Sequence, residues 1–376
     1  MQDQKITTIK MLKHYLHVAM QLEHATVPPY LTALYSIKPD SIKPDSTQPG
    51  GNLEAVQVLR VVAVEEMLHL ALAANLLNAI DGKPKLSDSG FVPSYPAYLP
   101  DGERDFEVHL QAFSQDAVAT FLKIERPSMA PKPEMRLMAR SDRRAQSFLA
   151  ASLNEPELYY YSIGEFYRAI EQGLIHLEQS AQASGKTIFI GDPAKQVTAD
   201  HYYSGGGRLF PVTNLETGRY AINAIIAQGE GEDRGIFGPD GELAHFYRFN
   251  QLKHGRYYQK SDDPGPKGGP VPVPTGPELK VDWTAVYPIK TDAKLADYEP
   301  GSETYAAAVA FNTAYAAFLG LIEQAFNGQP DRLNEAVPMM FGIRNKVNQL
   351  MRNPLNDGSV YNAAPTFEIG ATGATP

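Results

Sequence analysis

Residues 62–77, VAVEEMLHLALAANLL, set two glutamates and a histidine into an otherwise almost unbroken apolar run. No other stretch restricts the fold as much. A run this apolar belongs in a core, yet an unpaired buried charge costs roughly several kcal/mol. Such groups shift their pKa, find a partner or bind a metal. The chain must therefore carry matching polar groups to this segment from elsewhere.

Read as a helix at about 100° per residue, the segment keeps Gln57, Arg60, Asn75 and Asn78 on one side. His69 lies nearly opposite, flanked by Glu65 and Glu66. Glu66 and His69 form a Glu-x-x-His pair, and i,i+3 spacing puts both on one face about a turn apart. Periodicity does not choose between the two acids. The spacing favours Glu66 as a ligand and leaves Glu65 as the alternative, or as a partner of a ligand.

A dinuclear carboxylate site in a four-helix bundle takes one Glu from each of two helices and a Glu-x-x-His from each of the other two. The first helix is predicted over 7–36, kinked by Pro28-Pro29 after Glu23. Its stripe of Leu12, Leu16, Ala19, Met20, Glu23, Val27 and Tyr30 centres an acid on an apolar face. Glu23 is either a ligand or a buried Glu bonded to a Tyr or His. The second helix, about 53–79, stops at DGKP. A third, about 162–184, offers Glu165, although Ser162-Ile163-Gly164-Glu165 also reads as a capping box. Glu171 and His176 on the same helix are weaker candidates. The fourth starts near Asn214, where TNLE reads as a capping box, and runs to the interrupted stretch GEGEDRGIFGPDG before helix resumes at ELAHFYRFNQL. Glu230, set between glycines, is favoured together with His245. Glu242, three residues before His245, is the alternative and serves otherwise as a cap.

The remaining segments are less regular. SIKPD repeats in tandem within a Pro- and Asp-rich loop at 36–45, and a helix is expected at about 114–124. Residues 86–155 and 185–212 are long insertions, with one short strand in 86–113, a strand-like TIFIG, and room to shape a pocket. A Pro/Gly stretch precedes two helices at about 302–327 and 331–352, the second interrupted by Pro338, and a Gly/Ala-rich tail follows. The expected fold is mainly α: an antiparallel four-helix bundle with long inter-helix insertions and a C-terminal helical extension. The divisions are 1–260 for the metal-binding bundle, 261–280 for the linker and 281–376 for a helical segment packing on the bundle.

Composition narrows the chemistry. The chain of 376 residues has no cysteine, which excludes disulfides, thiolate nucleophiles, iron–sulfur clusters and cysteine-ligated zinc. A metal must be held by His, Asp or Glu, donors that suit iron, manganese or zinc. The net charge of −9, without a Lys/Arg cluster, argues against nucleic acid and anionic membranes as partners. The N-terminus lacks a cleavable apolar region and no bilayer-length apolar run is expected, so the plain reading is cytoplasmic. SGGGR at 204–208 lacks the spacing of a nucleotide loop, and there is no Gly-x-Ser-x-Gly elbow.

QLEHATVPPYLTALYSI, VAVEEMLHLALAANLLNAIDGKPKL, IGEFYRAIEQGL, IAQGEGED and HFYRF together resemble the bacterial ferritin-like family that contains the iminophenyl-pyruvate dimer synthase domain. That domain occurs in enzymes of violacein and rebeccamycin biosynthesis. The resemblance covers roughly residues 8–255, and GQPDRLNEAVPMM and APTFEIG are similar to the region that follows the domain. It implies a ferritin-like bundle, metal-dependent oxidative chemistry, and Glu23, Glu66, His69, Glu165, Glu230 and His245 at the metal positions. Family members couple imines derived from aromatic amino acids, and haem is associated with some of them.

The expected function is that of an oxidase-type enzyme with two iron ions, acting on a small organic substrate, with a homo-oligomer as the assembly. The alternatives are a ferroxidase or iron-storage protein and a non-catalytic metal-binding bundle. The insertions and the helical extension argue against a closed storage shell.

Overall fold

The computed structural model describes residues 6–42, 51–88, 90–128, 160–202, 206–231, 235–237, 241–263, 271–355 and 357–369. Expectations for 129–159 and for the tail beyond 369 fall outside these residues, as do parts of the SIKPD repeat and of the stretch after Glu230. Eight α-helices are described: α1 (Ile9–Ser36), α2 (Leu53–Ala79), α3 (Gln115–Ile124), α4 (Ile163–Gln182), α5 (Leu215–Gly229), α6 (His245–His254), α7 (Glu303–Phe326) and α8 (Arg332–Met351). The strand expectations reduce to isolated bridges such as Ala97 with Val108, and TIFIG pairs with no strand among the described residues.

Local chemistry accounts for the helix ends. Thr8 caps α1 by accepting the Met11 N–H, and Ser162 does the same for the Glu165 N–H of α4. At α5 the reciprocal pair is Asn214 and Thr217 rather than a TNLE box, because Asn214 accepts from Thr217 N and Thr217 Oγ1 accepts from Asn214 N. The DGKP stop of α2 depends on Gly82. Its N–H bonds the Leu77 carbonyl at 2.8 Å, and a Cβ there would lie 2.2 Å from Leu77 Cδ1. Helix α1 runs on through Pro28 and Pro29. A proline at 29 cannot bond the Ala25 carbonyl, and the buried Tyr95 hydroxyl donates to that oxygen at 2.7 Å instead.

Helices α1 and α2 make the most extensive pairing, α4 packs on α5 and α1, and α5 on α2, which closes the four-helix bundle. The short helices α3 and α6 pack on each other, and α6 also reaches α2. Helices α7 and α8 pair together, with α7 against α2 and α8 against α1. Polar ties fasten this extension: Asn78 Nδ2 donates to the Phe326 carbonyl, and the Glu323 carboxylate accepts from Leu86 N and Ser87 N. The described part of the Pro/Gly stretch is not free. Residues 271–280 return along 255–258, with Leu279 N bonded to Gly255 O and Tyr257 N to Pro277 O.

One expectation about apolar runs is corrected. By length and composition α7 is apolar enough to cross a membrane, and 44% of its most apolar window is buried inside the protein. Phe311, Tyr315, Leu319 and Ile322 form its inward face.

Candidate metal centre

Glu23 comes from the middle of α1, and Glu66 and His69 from the middle of α2, where the two longest helices pack against each other. Glu125 caps the C-terminus of α3, and His245 is the first residue of α6. All five side chains belong to residues 2% exposed or less, so none of this charge is solvated. They fall into two groups of three, Glu23–Glu66–His69 and Glu66–Glu125–His245, with the donor atoms in each within 4.8 Å of one another. Glu66 is common to both.

The shared carboxylate divides its oxygens. Glu66 Oε2 faces His69 Nδ1 at 3.8 Å, and Glu66 Oε1 faces His245 Nδ1 at 2.9 Å. His69 Nδ1 lies 3.4 Å from Glu23 Oε2, and His245 Nδ1 lies 3.5 Å from Glu125 Oε2. The two imidazoles stack with centroids 5.5 Å apart. Both rings are held from behind through Nε2, His69 at 2.9 Å from Gln228 Oε1 and His245 at 2.7 Å from Glu65 Oε2. The outer carboxylate oxygens are also occupied: Tyr167 donates to Glu23 Oε1 and Tyr30 to Glu125 Oε1, each at 2.5 Å.

Electrostatics gives this cluster its character. Burial pushes the Glu23 and Glu125 carboxyls up. Burial acts the same way on Glu66, but His245 and His69 outweigh it and hold Glu66 below the usual carboxylate range. Burial opposes charge on both rings, yet Glu23 and Glu66 raise His69, while Glu125, Glu65 and Glu66 raise His245. Burial, reinforced by the adjacent carboxylates, pushes Tyr30 and Tyr167 well up, so both phenols stay protonated and donate.

The residues fit a pair of metal ions. His245 Nδ1 is buried and makes no well-aligned hydrogen bond, although Glu66 Oε1 and Glu125 Oε2 converge on it at 2.9 and 3.5 Å. Two acids gathered on one buried ring nitrogen leave a place where a cation fits between the three. Carboxylate with imidazole is also the donor set of iron, manganese and zinc sites.

The sequence model of the ferritin-like family matches residues 16–254. The chain belongs to the ferritin-like family. Its fold is similar to that of a ferritin-like protein from Caulobacter vibrioides, with a TM-score of 0.57 and 20% identity over 97% of this chain and 100% of that one. No curated protein sequence matches it.

Within that family fold, two expected ligands sit elsewhere. Glu165 remains at the start of α4, where its N–H bonds Ser162 Oγ and its carboxylate accepts from Tyr161 N at 3.2 Å, so the capping reading describes it better. Glu230, buried at the end of α5, turns to the α4 N-terminus. It accepts from Gly164 N at 2.6 Å, Ser128 N at 2.7 Å and Ser128 Oγ at 2.6 Å. A carboxylate there satisfies open helix donors and meets the positive end of the helix dipole. Glu242 precedes α6, is exposed, and pairs with Arg248 at 3.0 Å. Glu171 pairs with Arg168 and Arg219, away from the centre.

Glu125 is the group missed from sequence. Its signal was present: Val118, Phe121 and Glu125 continue one stripe at i, i+3 and i+7. Gly229 lies beside it, since a Cβ there would be 3.5 Å from Glu125 Oε2, an ordinary contact. Gln228, beside that glycine, and the phenols of Tyr30 and Tyr167 had no readable signal of their own.

Replacing Glu230 with alanine is therefore expected to destabilise the fold by roughly 3 kcal/mol, since it strips charge-assisted bonds from buried donors. Metal content should not change. Chemical denaturation together with metal analysis checks both halves; loss of metal from a folded Glu230→Ala protein would return Glu230 to the site.

Proposed function

We propose that this chain is a metal-dependent oxidase-type enzyme, with two ions held by Glu23, Glu66, His69, Glu125 and His245, acting on a small organic substrate. The observation that carries this reading is the division of Glu66, whose two oxygens face two different histidines. A carboxylate in that position would hold two cations at once, one on each side, with His69 and His245 completing the two groups. Iron is the ion we favour. Two redox-active ions in this donor set would supply electrons to oxygen while the substrate is oxidised.

The protein's own groups prepare that chemistry. Glu65 and Gln228 accept from the far nitrogens of His245 and His69, which leaves each Nδ1 turned to the carboxylates. Tyr30 and Tyr167 hold the outer oxygens of Glu125 and Glu23, which fixes the carboxylate planes. Burial keeps bulk water from the cluster and strengthens each of these interactions.

The narrower form of the proposal is oxidative coupling of imines derived from aromatic amino acids. It rests on the sequence resemblance to the dimer synthase domain. Anaerobic loading with Fe(II), metal analysis, and oxygen uptake with and without such an imine test both levels. About two irons per chain and imine-stimulated oxygen uptake, with a coupled product by mass spectrometry, are expected. No bound metal after loading would end the proposal, and iron oxidation that builds a mineral core would favour storage.

A further inference from the structure

The two halves of the centre are closely matched. Each has one histidine presenting Nδ1, one terminal glutamate whose outer oxygen accepts a buried tyrosine hydroxyl at 2.5 Å, and a share of Glu66. They differ behind the rings. His69 Nε2 meets the neutral amide of Gln228 at 2.9 Å, and His245 Nε2 meets the carboxylate of Glu65 at 2.7 Å.

We propose that Glu65 and Gln228 make the two metal positions unequal, so that the position at His245 binds a divalent ion more tightly than the position at His69. The inference rests on the metal-centre reading above and adds an order of filling to it.

Two effects favour the His245 position. A carboxylate draws on the ring N–H more strongly than an amide oxygen does, which makes Nδ1 the better donor. Glu65 also adds a negative charge close to one cation position, in a site with little water to screen it. The facing groups do not cancel this. Arg248 Nη2 is 3.9 Å from Glu65 Oε1 but 3.0 Å from the exposed Glu242, so its charge is shared.

Both partners are also held in place. Gly206 lies against Glu65, where a Cβ would come within 2.4 Å of Glu65 Cγ. Gln228 Nε2 donates to the Gly206 carbonyl at 2.6 Å, which turns the amide oxygen towards His69. One short segment thus sets the partner of each histidine. Glu65 and Gln228 are positioning residues and act through the rings.

The test uses the full chain, stripped of metal, and titrates it with Co(II) under argon, followed by heat and by visible absorption. His69→Ala leaves the His245 position and His245→Ala leaves the His69 position. The first variant is expected to bind its single ion ~10–100-fold more tightly than the second. Adding Glu65→Gln to the first, which keeps an acceptor but removes the charge, should erase that advantage. Adding Gln228→Glu to the second should strengthen its binding, an outcome that structural damage does not produce. Glu65→Gln in the otherwise unchanged chain gives a further reading, as loss of the tighter of two steps. Equal affinities in the two histidine variants, or an advantage that survives Glu65→Gln, would overturn the inference and leave the metal centre standing. No Co(II) bound by the unchanged protein would remove both.

Discussion

Replacing Glu66 with alanine is expected to empty both metal positions, whereas Glu23→Ala or Glu125→Ala should each leave one filled. The difference follows from the sharing of Glu66 between the two three-residue groups, while Glu23 and Glu125 each belong to one. Withdrawing a group that only supports a ligand typically weakens binding by about 10–100-fold, so removing a ligand common to both positions should exceed that for each ion. Metal analysis of the purified variants, repeated after anaerobic Fe(II) loading, reads the result as ions per chain. A Glu66→Ala protein that keeps one ion at full affinity would mean that Glu66 serves only one position. Circular dichroism on the same samples separates loss of metal from loss of fold.

Metal uptake is expected to release at least about two protons per chain near neutral pH, from the two rings and from the Glu23 and Glu125 carboxyls that burial pushes up, and to strengthen as pH rises. In the metal-free protein burial opposes charge on the rings, but the surrounding carboxylates raise His69 and His245 above 6.5. Each ring then carries its extra proton at pH 7, and that proton must leave before Nδ1 can bind a cation. Because the folded values lie above the unfolded one, the rings' contribution to stability is fully present below pH 6.5 and is lost as pH rises through the raised values. Metal-free protein should therefore lose thermal stability on the alkaline side, and metal-loaded protein should not. Calorimetric titration in buffers of different ionisation heat counts the protons directly. No proton release would show that the rings are already neutral without metal.

Much of the helical scaffold was legible because long periodic runs with caps leave few alternatives. Ser162 and the DGKP stop mark ends that the structure reproduces within a few residues. At the site, Glu23, Glu66, His69 and His245 come together, and what marked the first three was an acid or imidazole set among Leu, Val and Ala. Glu165 and Glu230 stay out of the cluster for a tertiary reason. Simple bundle grammar takes its acids from the long helices α4 and α5, but the acid that joins Glu66 at His245 is Glu125 from short α3, which packs on α6. That pairing leaves no mark in local periodicity. Glu125 lies one residue past its helix, where a cap and a ligand look alike in sequence. Glu230 carried the opposite ambiguity, a buried acid whose partners Ser128 and Gly164 are remote in the chain.

Anomalous diffraction from crystals of the iron-loaded protein, collected at the iron edge, tests the central claim most directly. Two peaks are expected, one among Glu23, Glu66 and His69 and the other among Glu66, Glu125 and His245. A single peak, or density beside Glu165 or Glu230 instead, would contradict the shared-carboxylate centre.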